Sequence, residues 1–315
     1  MRAAAILGQS SSPRDLKPFQ ENFKAEWLIG MPESPSKTDA VLLFGGDGTV
    51  HRHLNQLVKL QSPLLVVPTG SGNDFARALN LRRVSDALAA WKTFSSSPEN
   101  VRTIDLGLVT ALRNPRAAAA SQSNPPTPPD SETRYSVPGT RYYFCCIAGC
   151  GLDAEVARRA NHLPRWLRAH GGYVLTLPAA LMRFAPPRMK LSLSQSAPDT
   201  QFTLHTDKPT TVMAFANAPT YGSGMRIAPR AQLDDGKLDV CIVDGINKLK
   251  LLRLFPTVYS GRHLNLPGVE YFQAERLRLE TEHPLDIYAD GEYVCETPVE
   301  IASAPRALQV IIPTP

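Results

Sequence analysis

Ala40-Val41-Leu42-Leu43-Phe44-Gly45-Gly46-Asp47-Gly48-Thr49 is the stretch that decides the fold. Its apolar run suits a strand buried on both faces, as in a parallel sheet covered by helices. The glycines that follow let the backbone turn sharply and approach a ligand closely. Val50, Leu54, Leu57 and Val58 then recur at helical spacing. A glycine turn between a strand and a helix start presents backbone amides, which favours phosphate. Asp47 sits oddly in a pure phosphate cradle, because a carboxylate repels phosphate. A divalent cation bridging the two resolves the conflict. A glycine-rich turn closed by an Asx bond is the plainer alternative.

The pattern repeats immediately. Leu64-Leu65-Val66-Val67, bounded by Pro63 and Pro68, reads as a second buried strand and leads into Thr69-Gly70-Ser71-Gly72-Asn73-Asp74. A helix is expected from Asn73 or Asp74, both good caps, with Phe75, Ala78 and Leu79 turned inward. Adjacent parallel strands would bring both glycine turns to one sheet edge, where open α/β sheets bind ligands. Ser71 offers a hydroxyl to phosphate or ribose. Asp74 either caps the helix or joins the site. Neither turn is a Walker A loop or a dinucleotide G-x-G-x-x-G.

Outward from these turns the chain divides. Met1 to Gly8 is too short for a signal segment and reads as a first strand. A short helix near Asp86 to Trp91 and a strand over Val101 to Val109 complete an α/β half. The run from Ala117 to Ala120 and Pro125 to Pro129 cannot build a core, so about 111–140 reads as a flexible insertion. Beyond it, strands are expected at Arg141–Ile147, Met189–Leu193, Thr211–Ala216, Leu238–Val243, Ala274–Glu280, Leu285–Ala289 and Gln309–Ile312. Helices are expected at Ala154–Arg159, at Trp166–Phe184 with a break near Pro178, and at Leu249–Tyr259. The fold class is therefore α/β plus mostly-β, with the active site in the cleft between the halves.

Bulk composition agrees. A chain of 315 residues exceeds what one core usually serves. A net charge of +5 suits acidic partners such as nucleotide phosphates or an anionic membrane face. The odd count of 5 cysteines, without a C-x-x-C pair, favours a reducing, cytoplasmic setting with buried thiols. Cys145 and Cys146 would face opposite sides of a strand. The apolar stretch Gly172 to Met182 is too short to cross a bilayer, so no transmembrane span is expected. No basic-aromatic module points to nucleic acid. His51 and His53 have no metal spacing and read as solvated helix residues. Residues 158–190 mix bases (Arg158, Arg159, Arg165, Arg168, Arg183, Arg188, Lys190) with Leu163, Trp166, Leu167 and Phe184. Such a segment either rests on an anionic membrane or packs on its own domain.

The two turns resemble the G-G-D-G-T and G-T-x-N-D-F-A-R motifs of the diacylglycerol-kinase catalytic family, which includes bacterial lipid kinases and sphingosine and ceramide kinases. Thr103-Ile104-Asp105-Leu106-Gly107 resembles its D-L-G strand, and Ala148-Gly149-Cys150-Gly151-Leu152-Asp153-Ala154 its glycine turn before a helix. Asn217-Ala218-Pro219 through Gly222-Ser223-Gly224-Met225 and Ala228-Pro229, then Asp234-Asp235-Gly236-Lys237-Leu238-Asp239, and finally Ala289-Asp290-Gly291-Glu292, continue the likeness in order. Two departures stand out: Leu7-Gly8-Gln9-Ser10-Ser11-Ser12 replaces the family's N-P-x-[SA]-G turn, and Ser71 replaces its usual threonine.

The resemblance implies an NAD-kinase-like α/β domain and a C-terminal β-sandwich. Residues 1–108 would bind nucleotide, with about 298–315 returning to that domain, and 109–297 would bind lipid. It implies ATP- and Mg-dependent phosphoryl transfer to a lipid hydroxyl such as that of diacylglycerol. Glu292 would be the catalytic base, with Asp47 and Asp290 beside it. Gly45, Gly46, Asp47, Gly48, Thr49, Val50, His51, Gly70, Ser71 and Asn73 would contact nucleotide, and Asp47 would hold the ATP-linked Mg. Asp235, with backbone oxygens of Gln232 and Lys237, would hold a structural Mg. Asp105 would join the acidic network of Asp47 or be a buried structural aspartate. Lipid at the inner membrane face and a homodimer are the expected partners. An NAD-kinase-like enzyme with a soluble acceptor, or a non-catalytic nucleotide- or lipid-binding homologue, are the competing readings.

Overall fold

A computed structural model of the chain describes residues 1–9, 11–21, 25–112, 137–164, 167, 172–194, 201–245 and 247–314. The expected insertion falls largely on 113–136 and so lies outside the described residues, as do Arg165, Trp166 and Arg168.

Strand β3 (Ala40–Gly45) is buried at every residue and lies between β1 (Arg2–Leu7) and β4 (Leu64–Pro68), all three parallel. β2 (Glu26–Ile29) flanks β1. Helix α1 (Pro13–Glu21) follows β1, α2 (Asp47–Leu60) packs on β3, and α3 (Asp74–Ala78) and α4 (Val84–Ser96) follow β4. Their inner faces bury Leu16, Phe19, Leu54, Leu57, Phe75 and Trp91. These apolar stripes against continuous apolar strands are what hold the layers together.

Two long strands join this half to the rest. β15 (Val299–Ile311) runs antiparallel to β5 (Val101–Ala111), meets β4 in parallel at Val310, and pairs through Val299–Ala302 with β12 (Arg276–Thr281). β9 (Phe202–Ala216) pairs over its first part with β8 (Arg188–Ser194). Its second part lies between β7 (Ile147–Gly151) and β10 (Leu238–Asp244). β6 (Arg141–Phe144) flanks β5, β11 (Val269–Ala274) flanks β10, and β13 (Asp286–Ala289) with β14 (Glu292–Glu296) extends from β7. Phe215, Val240, Leu279, Ile287 and Ile301 fill the core of the resulting sandwich. Helices α5 (Leu152–Asn161), α6 (Gly172–Arg183) and α7 (Lys248–Leu254) pack together through Val156, Leu177, Leu181 and Leu251.

Several expectations are corrected. The strand expected over Arg141–Ile147 breaks at Cys145 and Cys146, because their amides bond a carboxylate rather than a neighbouring strand. Strand β9 begins at Phe202: its first part alternates exposed polar residues and contains Pro209, which hid it from an apolar reading. Helix α6 runs through Pro178 without the expected break. The cysteines, by contrast, are as expected: all five are free and buried.

Candidate active site

The register of β3 on β4 sets Gly45 beside Pro68, so both glycine turns leave one sheet edge together. They touch backbone to backbone. A Cβ on Gly70 would stand 2.5 Å from the Gly46 Cα, so no larger residue fits there without moving the other turn. Asn73 adopts a left-handed conformation (φ 53°) and donates its side-chain amide to the Gly70 carbonyl at 2.6 Å. Its Oδ1 is buried without a partner beside the turns.

Contrary to the expectation from the sequence, neither Asn73 nor Asp74 caps α3 with its side chain. Asp47 does so from the other turn, accepting the Asp74 amide at 2.9 Å and the Phe75 amide at 3.0 Å. Burial, then the Asp74 carboxylate, push the Asp47 carboxyl up to about 6, with Asp290 adding to the rise and the two amides opposing it. Asp74 in turn reaches the far side of the cleft. It accepts the Ser223 amide at 2.8 Å and the Arg77 guanidinium at 2.6 Å. The altered first loop still seats on the cradle: the Ser11 hydroxyl lies 2.7 Å from Thr69 Oγ1, and the Gly8 amide donates to the Phe44 carbonyl.

The late hairpin supplies the opposite wall. Asp290 and Gly291 both take positive φ (49° and 85°), as the two central residues of a tight hairpin turn must. The Asp290 carboxylate is buried and accepts the amides of Cys145 and Cys146, each at 2.8 Å, and of Ile147 at 3.2 Å. His51 Nδ1 lies 3.2 Å from Oδ2, the oxygen that accepts the Cys145 amide, with 13% of the His51 side chain exposed. His51 is therefore not the solvated residue expected. Asn161 at the end of α5 donates to the Gly291 carbonyl at 2.8 Å. The hairpin so fixed places Glu292 Oε1 3.2 Å from where a Cβ on Gly48 would stand. Among the described residues, no hydrogen bond occupies the Glu292 carboxylate.

Between these walls lies a cleft of about 620 Å³ lined by Gly46, Asp47, Gly48, Thr49, Gly70, Ser71, Asp290 and Glu292. Gly45, Val50, His51 and Asn73 do not line it. The Val50 side chain is buried in the core and its amide bonds the Gly46 carbonyl. Arg52, Gln9, Tyr221 and Ser223 line the cleft without having been singled out beforehand. Arg52 follows directly from helical periodicity on α2, whereas Tyr221 and Ser223 come from a loop whose placement no local pattern reveals.

Tyr221 also lines a second cavity of about 90 Å³, walled by Leu152, Val156, Leu177, Leu251, Leu254 and Phe255. Its few polar groups include Asp153, which accepts the Tyr221 hydroxyl at 2.6 Å, and His263. Burial pushes the Asp153 carboxyl up to about 6 against the opposing effect of that hydrogen bond. The D-D-G turn lies outside both cavities. Asp235 accepts the Lys237 amide and the Gln273 side-chain amide, each at 3.0 Å, and Gln232 is exposed. Asp105 is a structural clamp: it accepts the amides of Gly236 and Arg306, each at 2.7 Å, tying that turn to β15. In the 158–190 segment, Arg158 and Arg159 pair with Glu155, Arg188 with Asp207 and Lys190 with Glu280. Most of its described bases are therefore neutralised. Among the described residues no helix is long and apolar enough to cross a membrane.

Two glycine turns of a phosphate-binding type and a carboxylate hairpin thus line one cleft. The sequence matches the diacylglycerol kinase catalytic domain over residues 11–109 and the YegS C-terminal NAD kinase beta sandwich-like domain over residues 146–312. A diacylglycerol kinase of Mycobacterium tuberculosis is 33% identical over 276 residues, covering 88% of this chain and 77% of the relative. One of Bacillus subtilis is 25% identical, covering 87% and 78%. Among solved structures, a diacylglycerol kinase of Bacillus anthracis superposes with a TM-score of 0.63 at 18% identity, covering 99% of this chain and 96% of that one. An NAD kinase of Archaeoglobus fulgidus in complex with ATP gives 0.51 at 12% identity, covering 99% and 94%. These last two likenesses concern the fold. The chain belongs to the diacylglycerol kinase family: it is a lipid kinase, a phosphotransferase with an alcohol as acceptor.

Proposed function

We propose that the protein transfers the terminal phosphoryl group of ATP to the hydroxyl of diacylglycerol or a similar lipid, with Glu292 as general base. The observation that carries this reading is the position of the Glu292 carboxylate beside Gly48, in the cleft that both glycine turns line. Backbone amides of the turns and the Ser71 hydroxyl hold the phosphates, and Arg52 adds positive charge at the rim. The lipid hydroxyl enters beside Glu292. As its oxygen bonds to phosphorus, its proton passes to the Glu292 carboxylate and the bond to ADP breaks.

The residues present fit a nucleotide-linked Mg. Each Asp47 oxygen accepts one amide and keeps a second lone pair, and the carboxyl is pushed up by burial and then by the Asp74 and Asp290 carboxylates, whose charge a cation would offset. Mg is commonly held by one or two carboxylates together with substrate phosphates, so no all-protein cage is needed. When bound there it would neutralise charge on the phosphates. The Asp235 turn would offer a structural Mg the remaining lone pairs of one carboxylate. Each oxygen of its carboxylate accepts one protein donor, the Lys237 amide and the Gln273 side-chain amide, and the two donors would have to share the carboxylate with the ion; no step is derived from it.

The apolar cavity that shares Tyr221 with the cleft supports a lipid acceptor over a soluble one. At about 90 Å³ it admits the start of a chain, and its walls must yield for more. Incubation with labelled ATP, Mg and a mixed lipid extract tests the reading. A labelled lipid monophosphate is expected. Label passing to NAD and to no lipid would favour the soluble-acceptor alternative, and binding without transfer the non-catalytic one.

A further inference from the structure

The bases of the 158–190 segment are mostly paired, yet among the described residues Arg183 of that segment and Lys250 and Arg253 have no acidic partner and stand among exposed apolar side chains. On α6, Leu177, Ala180 and Leu181 face inward, while Leu175, Pro178, Ala179, Met182 and Arg183 face out. On α7, Leu251 and Leu254 face inward, while Leu249, Lys250, Leu252 and Arg253 face out. The exposures are 77% for Leu249, 72% for Met182, 57% for Leu175 and 40% for Leu252, far from the usual state of large apolar residues. The two helices adjoin, since Lys248 Nζ donates to the Met182 carbonyl at 2.9 Å.

We propose that the outer faces of α6 and α7 form the surface by which the protein sits on an anionic lipid bilayer. Charge complementarity favours this occupant. Neither Gly172–Phe184 nor Asn247–Arg262 contains an Asp or Glu, whereas Arg183, Lys248, Lys250, Arg253 and Arg262 are present. Basic residues interleaved with exposed leucines match the interfacial region of a membrane, where apolar groups enter the acyl boundary and cations meet headgroups. Continuity favours it as well. The inner face of α7 walls the apolar cavity that reaches the cleft at Tyr221. A lipid leaving the bilayer at this face would meet that cavity without crossing water. The proposal rests on the lipid-kinase reading for its purpose, though not for its measurement.

Co-sedimentation of the full chain with vesicles tests it, using phosphatidylcholine alone and phosphatidylcholine mixed with phosphatidylglycerol. The wild type is expected to partition onto the mixed vesicles far better than onto the neutral ones, and raised salt to weaken that binding. Leu249→Asp and Lys250→Glu should each lower the partition by about tenfold. Both residues face solvent and line neither cavity, so melting temperature and turnover of a short-chain lipid dissolved in buffer should stay unchanged. Equal binding to both vesicle types, no binding, or variants that bind like wild type would overturn the proposal. So would a wild-type dimer that Leu249→Asp converts to a monomer in the absence of vesicles, because the face would then join two copies. Failure of soluble-lipid turnover in the wild type would strike the kinase reading and leave the docking result standing.

Discussion

His51 Nδ1 lies 3.2 Å from Asp290 Oδ2, and this contact joins the helix that begins at the phosphate cradle to the hairpin that carries Glu292. The two residues are far apart in sequence, and each belongs to a different half of the molecule. His51 is a positioning residue: it touches neither the cleft nor the reacting atoms. Its removal should move Glu292 relative to the cradle, and a misplacement near 1 Å costs on the order of 10² in rate. His51→Ala is expected to lower kcat while leaving nucleotide affinity unchanged. His51→Asn, which returns an amide donor near the Nδ1 position, should recover part of the loss. A fall in nucleotide affinity with kcat unchanged would assign His51 to binding instead.

Asp290 does more than hold His51. Asp290→Ala would leave the amides of Cys145, Cys146 and Ile147 without their acceptor in a buried site. Each unmet donor costs about 1–3 kcal/mol. Denaturant unfolding should show a loss of at least about 3 kcal/mol. A loss below 1 kcal/mol would mean that water replaces the carboxylate freely.

The parallel sheet and its paired glycine turns were legible in the sequence because continuous apolar strands and glycines are local signals. The turn at Asp290 and Gly291 was legible for the same reason. What the turns hold was not. Asp47 caps a helix that begins 27 positions later, and Asp290 bonds amides more than 140 positions earlier. Such contacts are set by tertiary packing, which leaves no period in the chain. The first part of β9 was hidden for another reason: it pairs with β8 while exposing mostly polar side chains.

Gly70→Ala tests the contact between the turns. Its Cβ would stand 2.5 Å from the Gly46 Cα and 2.7 Å from the Gly46 nitrogen, and backbone cannot yield as a side chain does. Overpacking of this kind typically costs 1–3 kcal/mol, so a drop of about 2 kcal/mol in stability is expected. Nucleotide binding measured by calorimetry should weaken with it, because the amides of both turns shift. Unchanged affinity would place the nucleotide elsewhere.

Asp153 gives a pH signature. Burial pushes its carboxyl up to about 6, so the folded chain holds this proton more tightly than the unfolded chain. The stability it contributes is fully present below about pH 4 and is lost as pH rises through about 6. Asp153→Asn removes the titration while keeping an acceptor for the Tyr221 hydroxyl. The variant should exceed the wild type in stability above about pH 7 by roughly 3 kcal/mol, with the gap closing toward about pH 4. Melting temperatures across that range measure it. A constant gap would mean that Asp153 is ionised normally in the folded state.

Lipid phosphorylation by wild type and Glu292→Gln, with nucleotide affinity measured on the same samples, is the most direct measurement. The amide keeps the shape of the side chain and removes its ability to take a proton. Turnover is expected to fall by about 10²–10⁴-fold with nucleotide affinity retained. Near-normal turnover in the variant would contradict a carboxylate base facing the glycine cradle.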